Sequence, residues 1–87
     1  MNSLPTDLVG QLSLKVVNAN VHSVHLADDS HVGNLKRIGG VWKFKAVGYD
    51  AAGGVEPGGG PLTDWHNTEF ATPDPAEINS RLGRHDQ

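Results

Sequence analysis

Histidines and carboxylates are the residues of this chain best suited to binding an ion or moving a proton, and they gather in two places. The first is His22-Ser23-Val24-His25, followed by Asp28, Asp29 and His31. On a helix, histidines three or four apart share a face and can grip one metal ion. Here the neighbours are β-branched and alternate in polarity, and on a strand His22 and His25 point to opposite faces. A shared ion through that pair is therefore not expected. A looser set, His25, Asp28, Asp29 and His31, could offer oxygen and imidazole to a divalent cation around one turn, but its spacing matches no closed site. The second place is Asp64-Trp65-His66-Asn67. In an extended segment Asp64 and His66 share a face, so the carboxylate could orient the imidazole as a general base. Ser23, Ser30, Thr63 and Thr68 are the available hydroxyls, and none sits in a strained elbow or beside an oxyanion-hole motif.

Two further patterns involve charge and glycine. Between Ser30 and Tyr49 there is no acid, while Lys36, Arg37, Lys43 and Lys45 all fall there in a chain of net charge −3. A basic stripe on a β-ribbon can follow a phosphate backbone. Single-strand binding also asks for exposed aromatics, and the pattern turns Trp42 and Phe44 away from the lysines. Gly53-Gly54 and Gly58-Gly59-Gly60-Pro61 suggest a phosphate loop, yet no Lys-Ser/Thr and helix start follow the last Gly. The absence of cysteine excludes a disulfide framework, thiolate zinc sites and Cys nucleophiles.

These side chains must be positioned by a small number of elements. Eighty-seven residues, 37% hydrophobic and 20% charged, make one domain over 1–87. Leu12, Leu14 and Val16 alternate with polar residues, Asn18-Ala19-Asn20 is a turn, and Val21–Ala27 alternates again, which gives a hairpin over 12–27. A second hairpin over 32–49 bends at Gly39-Gly40, whose type suits a two-residue I′ turn. That loop sets Ile38 against Val41, Arg37 against Trp42, Lys36 against Lys43 and Leu35 against Phe44. Trp42, Phe44, Ala46, Leu35 and Gly33 then form the core face, and Val32 falls with Lys36, Lys43 and Lys45. The segment 50–61 is a Gly/Pro-rich loop with no place for a packed strand. Leu62–Phe70 returns as an irregular fifth strand. Asp74-Pro75-Ala76-Glu77 starts a helix over 75–82, capped by the acid and stopped by Gly83. A short helical turn is expected over 4–10, and 84–87 should fray.

The segment His31-Val32-Gly33-Asn34-Leu35-Lys36-Arg37-Ile38-Gly39-Gly40-Val41-Trp42-Lys43-Phe44-Lys45-Ala46-Val47-Gly48 resembles the late hairpin of TerD-type tellurite-resistance and stress proteins. It carries their Gly-x-Leu, a turn, then Trp-Lys-Phe-x-Ala-x-Gly. The resemblance covers about residues 31–48 and implies a β-sandwich-like hairpin. In that family calcium is held by paired acidic loops; Asp28-Asp29 alone does not make such a loop, so no functional residue carries over.

The fold expected is α+β: an antiparallel sheet of four to five strands with the short C-terminal helix packed on one face. Leu12, Leu14, Val16, Val24, Leu26, Leu35, Trp42, Phe44, Ala46, Ile78 and Leu82 would supply the core. The leading function is a non-enzymatic binding module that meets a protein partner through the segment 50–67, with Tyr49, Trp65, His66 and Asp64 as contacts. The alternatives are nucleic-acid binding through Lys36, Arg37, Lys43 and Lys45, and a metal-assisted hydrolase using His66, Asp64 and His25. No catalytic group, metal or cofactor is assigned. No apolar run reaches the ~18–20 residues of a bilayer span, and no signal-peptide pattern is present, which makes the cytoplasm the expected compartment. A monomer or weak homodimer is expected.

Overall fold

A computed structural model describes residues 12–82; the turn expected over 4–10, the Gly83 stop and the 84–87 tail lie outside them. Six strands run in chain order: β1 (Ser13–Asn18), β2 (Val21–His25), β3 (His31–Ile38), β4 (Val41–Tyr49), β5 (Val55–Pro57) and β6 (Glu69–Phe70). A 3-10 turn occupies Thr63–Trp65, and helix α1 spans Pro75–Leu82. All pairings are antiparallel in the order β1-β2-β3-β4-β5, and β6 pairs with β4 as well. The α+β architecture is the one the sequence pattern predicts, with one strand more than the four to five expected. Among the described residues no helix is long and apolar enough to cross a membrane.

The central hairpin has the predicted register. Gly39 and Gly40 take φ of 60° and 92°, and Ile38↔Val41, Arg37↔Trp42, Lys36↔Lys43 and Leu35↔Phe44 are opposed. Phe44 is fully buried because Gly33, one pair along, has no side chain. A Cβ there would come within 2.4 Å of the Phe44 ring. The ring lies over the glycine of the neighbouring strand, which removes that glycine's backbone from water as well. At the first turn, Asn18 Oδ1 accepts the Asn20 amide at 2.8 Å, the self-bonding expected of Asn there.

The core consists of Leu12, Val24, Val32, Leu35, Trp42, Phe44, Ala46, Leu62, Phe70, Ile78 and Leu82, with Leu14, Leu26 and Trp65 packed against it. Two expectations need correction. Val16 is 73% exposed: it lies on the outermost strand, beyond what an eight-residue helix, about 12 Å long, can cover. Val32 is buried instead of sharing the lysine face. The pairing steps from Val24↔Gly33 to His25↔His31, so Val32 is the extra residue of a β-bulge. A bulge breaks strict alternation and re-aims a side chain.

Helix α1 starts as predicted, with Asp74 Oδ1 accepting the Ala76 amide at 3.0 Å. It buries Ile78 and Leu82. Asn79 ties it to the other end of the chain: its Oδ1 accepts the Leu12 amide at 2.6 Å and its Nδ2 donates to the Leu12 carbonyl at 3.0 Å. One side-chain amide thus satisfies both backbone groups of Leu12, as a neighbouring strand would.

The segment 50–70 differs most from expectation. It holds a short strand, exposed along its whole length and so not a packed one, because β4 extends past β3's pairing and offers its outer edge to a partner. Val47↔Pro57, Gly48↔Glu56 and Tyr49↔Val55 supply it, and Pro57 is tolerated because β5 is an edge strand. Asp50 organises the bend: its Oδ1 accepts the Ala52 and Gly54 amides at 2.9 and 2.7 Å. The return over 62–70 is a 3-10 turn followed by a two-residue strand, not a continuous one.

Candidate functional site

Where β3 begins and β4 ends, Leu26, Ser30, His31, Val32, Val47, Gly48, Tyr49, Gly60 and Pro61 surround an open cleft of about 490 Å³. That volume lies in the range of small-ligand sites. Its shape depends on two backbones meeting. A Cβ on Gly60 would lie 2.3 Å from the Val47 carbonyl oxygen, and one on Gly48 would lie 2.6 Å from the Gly60 nitrogen. Gly60 also has φ of 86°. Only glycine fits both positions, so the 58–61 segment closes directly onto β4.

The polar wall of the cleft is a hydrogen-bonded chain across the outer sheet face. His31 Nε2 meets Asn34 Oδ1 at 3.0 Å, and His31 Nδ1 meets the Tyr49 hydroxyl at 2.7 Å. An amide oxygen only accepts, so Nε2 carries the His31 proton and Nδ1 accepts from Tyr49. The phenolic oxygen of Tyr49, a residue 46% exposed, is left with lone pairs for a ligand's donor. The apolar wall is Leu26, Val32 and Val47.

Beside it on the same face lies a second chain. His25 Nδ1 is 3.1 Å from the Asp29 main-chain oxygen and 3.7 Å from its Oδ1, while His25 Nε2 is 2.8 Å from Ser23 Oγ. The His25 and His31 rings are 5.2 Å apart. Lys15 Nζ holds Asp29 Oδ1 at 2.8 Å, and this bond keeps the Asp29 carboxyl below the usual carboxylate range. Asp28 is lowered too, by its bonds to the Ser30 side chain and backbone. The looser cation set is thus dispersed: the ring nitrogens of His25 and His31 all have protein partners, and the two aspartates bond Ser30 and Lys15. Among the described residues no three His, Asp or Glu side chains converge to hold a metal ion.

The four contact residues expected in 49–67 are not brought together. Tyr49 lines the cleft. Trp65 is half-buried against the core. Asp64 is exposed on the 3-10 turn, and the turn keeps it from sharing an extended face with His66. His66 has a structural task, because its Nδ1 accepts the Ala46 amide at 3.0 Å. Ala46 lies where β4's outer edge passes from β6 to β5, so the imidazole stands in for a missing strand carbonyl.

Of the basic residues, Lys36 and Lys43 are opposed as predicted, and Glu69 lies 3.6 Å from Lys43 Nζ. Lys45 Nζ bonds Asn67 Oδ1. Arg37, opposite Trp42, falls by alternation on the other face of the sheet from the lysines.

No family model, curated protein or solved structure matches the chain. The site therefore rests on its own geometry. Sequence reasoning missed His31, Val32 and Leu26 as cleft residues. The bulge that turns Val32 inward has no local signature, and the Gly48–Gly60 approach joins positions twelve residues apart. No sequence signal places His31 there: it stands three residues from Asn34, so strict alternation puts the two on opposite faces, and only the bulge at Val32 brings His31 to the face of Asn34 and Tyr49.

Proposed function

We propose that this protein is a binding module whose contact surface is the cleft at the end of β4 together with its rim in 50–67. The cleft receives an apolar side chain of a protein partner, one that also carries a hydrogen-bond donor, such as a tryptophan indole. The observation supporting this reading is the Tyr49–His31 bond, which orients an exposed phenolic oxygen beside the Leu26, Val32 and Val47 wall. Small sites typically join an apolar lining to one or two placed polar groups. A cytoplasmic setting and a monomeric or weakly dimeric state belong to the same proposal.

The test is an amide shift titration of the labelled protein with N-acetyl-tryptophanamide. Saturable shifts at Val32, Gly48, Tyr49 and Gly60 are expected. Tyr49→Phe keeps the ring and removes the acceptor, and should weaken binding by about 1 kcal/mol. The 1-methylindole analogue should lose a similar amount with the wild type and nothing further with Tyr49→Phe. Shifts confined to the Lys36–Lys43 face, or none at millimolar ligand, would refute the assignment.

A further inference from the structure

On the outer face of the sheet, Ser23 and His25 stand two residues apart on β2 and so point the same way. The hydrogen bonds fix the proton on the His25 ring. The Asp29 main-chain oxygen can only accept, so Nδ1, 3.1 Å away, carries the proton. Nε2 is then an unprotonated acceptor, and the Ser23 hydroxyl at 2.8 Å donates to it. A competing acceptor, the Lys15 carbonyl, is farther at 3.4 Å. Behind the ring, Asp29 holds φ of 74°, an uncommon conformation for a side-chain-bearing residue. That conformation turns both its carbonyl and its carboxylate toward Nδ1, the latter at 3.7 Å. His25 is held on both sides, its side chain only 13% exposed. A hydroxyl, a base and a group that orients the base, here the Asp29 carbonyl with the carboxylate nearby, form in this order the constellation that activates a serine nucleophile, and it is recognised by geometry, not by chain position.

A donor for the developing oxyanion stands opposite. Asn34 is the cross-strand partner of Ser23. Its Oδ1 accepts from His31 Nε2 at 3.0 Å, which fixes the amide and leaves Nδ2 as its donor end. Directly opposed residues have Cβ atoms about 4.5–5.5 Å apart, so an acyl carbon bonded to Ser23 Oγ brings its oxygen within reach of Asn34 Nδ2.

We propose that Ser23 is a nucleophile toward acyl groups, with His25 as its base, Asn34 as the oxyanion donor and Asp29 as the positioning residue, and that small esters lying on the open sheet face are its substrate class. Ser23 Oγ bonds to the acyl carbon as its proton passes to His25 Nε2. The ester C–O bond then breaks, and that proton leaves with the alkoxide as an alcohol. Water attacks the acyl-Ser23 carbon, giving a proton to Nε2. The carboxylic acid departs and the proton returns to Oγ. Asn34 is shared with the polar wall of the cleft through His31, but the Tyr49 hydroxyl takes no part, so this inference does not rest on the binding reading.

The experiment is labelling of the intact protein with a biotin-linked fluorophosphonate, read by peptide mass spectrometry. The expected result is a single adduct on Ser23, absent in Ser23→Ala. His25→Ala should label about 10²–10⁴-fold more slowly, and Asn34→Ala about 10²-fold more slowly. Asp29→Asn keeps the backbone acceptor, and its labelling rate should move along the pH axis without a loss of folded protein. Amide spectra establish that each variant is folded. Should His25→Ala fail to fold, Ser23→Cys provides a second reading: its thiol should react with iodoacetamide at neutral pH faster than free cysteine. No adduct on Ser23, an adduct formed equally fast without the imidazole, or a Ser23→Cys thiol no faster than free cysteine would overturn the proposal.

Discussion

Gly33 illustrates how a single missing side chain can decide a core. Its place under the Phe44 ring means that an added Cβ meets the ring at 2.4 Å and the Lys45 carbonyl at 2.8 Å. The backbone oxygen cannot move without disturbing the β3–β4 ladder. Gly33→Ala should therefore lower stability by about 1–3 kcal/mol, measured by denaturant unfolding followed through tryptophan fluorescence. Asp29 gives a prediction of a different kind. The bond from Lys15 holds its folded pKa below the usual carboxylate value of 3.8, so the unfolded chain takes up the proton first as pH falls. Its contribution is complete above pH 3.8 and is lost as pH drops through the lower folded value. Asp29→Asn should remove that contribution at neutral pH and converge with the wild type below the window, so that the acid limb of the stability–pH curve flattens. The Asp29 side chain is 68% exposed, so salt should shrink the difference.

Strand β4 is the element on which the rest of the molecule is assembled. Its inner edge pairs with β3, and its outer edge is shared between β6 at Trp42 and Lys43 and β5 at Val47, Gly48 and Tyr49. Between them Phe44 bonds the backbone of Thr68 and Asn67, Gly58 donates to the Ala46 carbonyl, and His66 takes the Ala46 amide. His66→Ala leaves that amide without its acceptor and should cost about 1–2 kcal/mol. Hydrogen exchange at Ala46 should accelerate more than at Phe44. Helix α1 is fastened in a comparable way by Asn79. Asn79→Ala removes both bonds to Leu12 and should cost about 1–3 kcal/mol, with the Leu12 amide losing its exchange protection. Arg81 adds a separate tie, its guanidinium 4.5 Å over the Phe70 ring and bonded to the Glu69 carbonyl.

At the scale of the whole molecule, one apolar cluster joins the helix to four of the six strands and to Leu62. A chain of this size has about 4–13 kcal/mol of stability in all. Ile78 is fully buried, and Ile78→Ala should cost about 2–5 kcal/mol, a large part of that total. Helical and tryptophan signals should be lost in one transition, since neither helix nor sheet has a second core to fall back on. A helix that melted first, leaving Trp42 protected, would show that the sheet is stable alone.

Local chemistry in the sequence was sufficient for the two hairpins, the Gly39-Gly40 register, the inward turn of Trp42 and Phe44, and the start of α1 at Asp74. Alternation, turn residues and caps act over two to four positions, so each is written where it acts. Tertiary structure decided what depends on distant segments meeting. Val32 turned inward through a bulge, Val55–Pro57 became a strand because β4 offered an unpaired edge, and His66 became an acceptor for the gap beside Ala46. The cleft likewise needs Gly60 against Val47 and Gly48, and Asn34 comes opposite Ser23 only when β2 and β3 pair. Such approaches leave no periodic trace in the chain, because what selects them is the space and the unpaired backbone groups left by everything else.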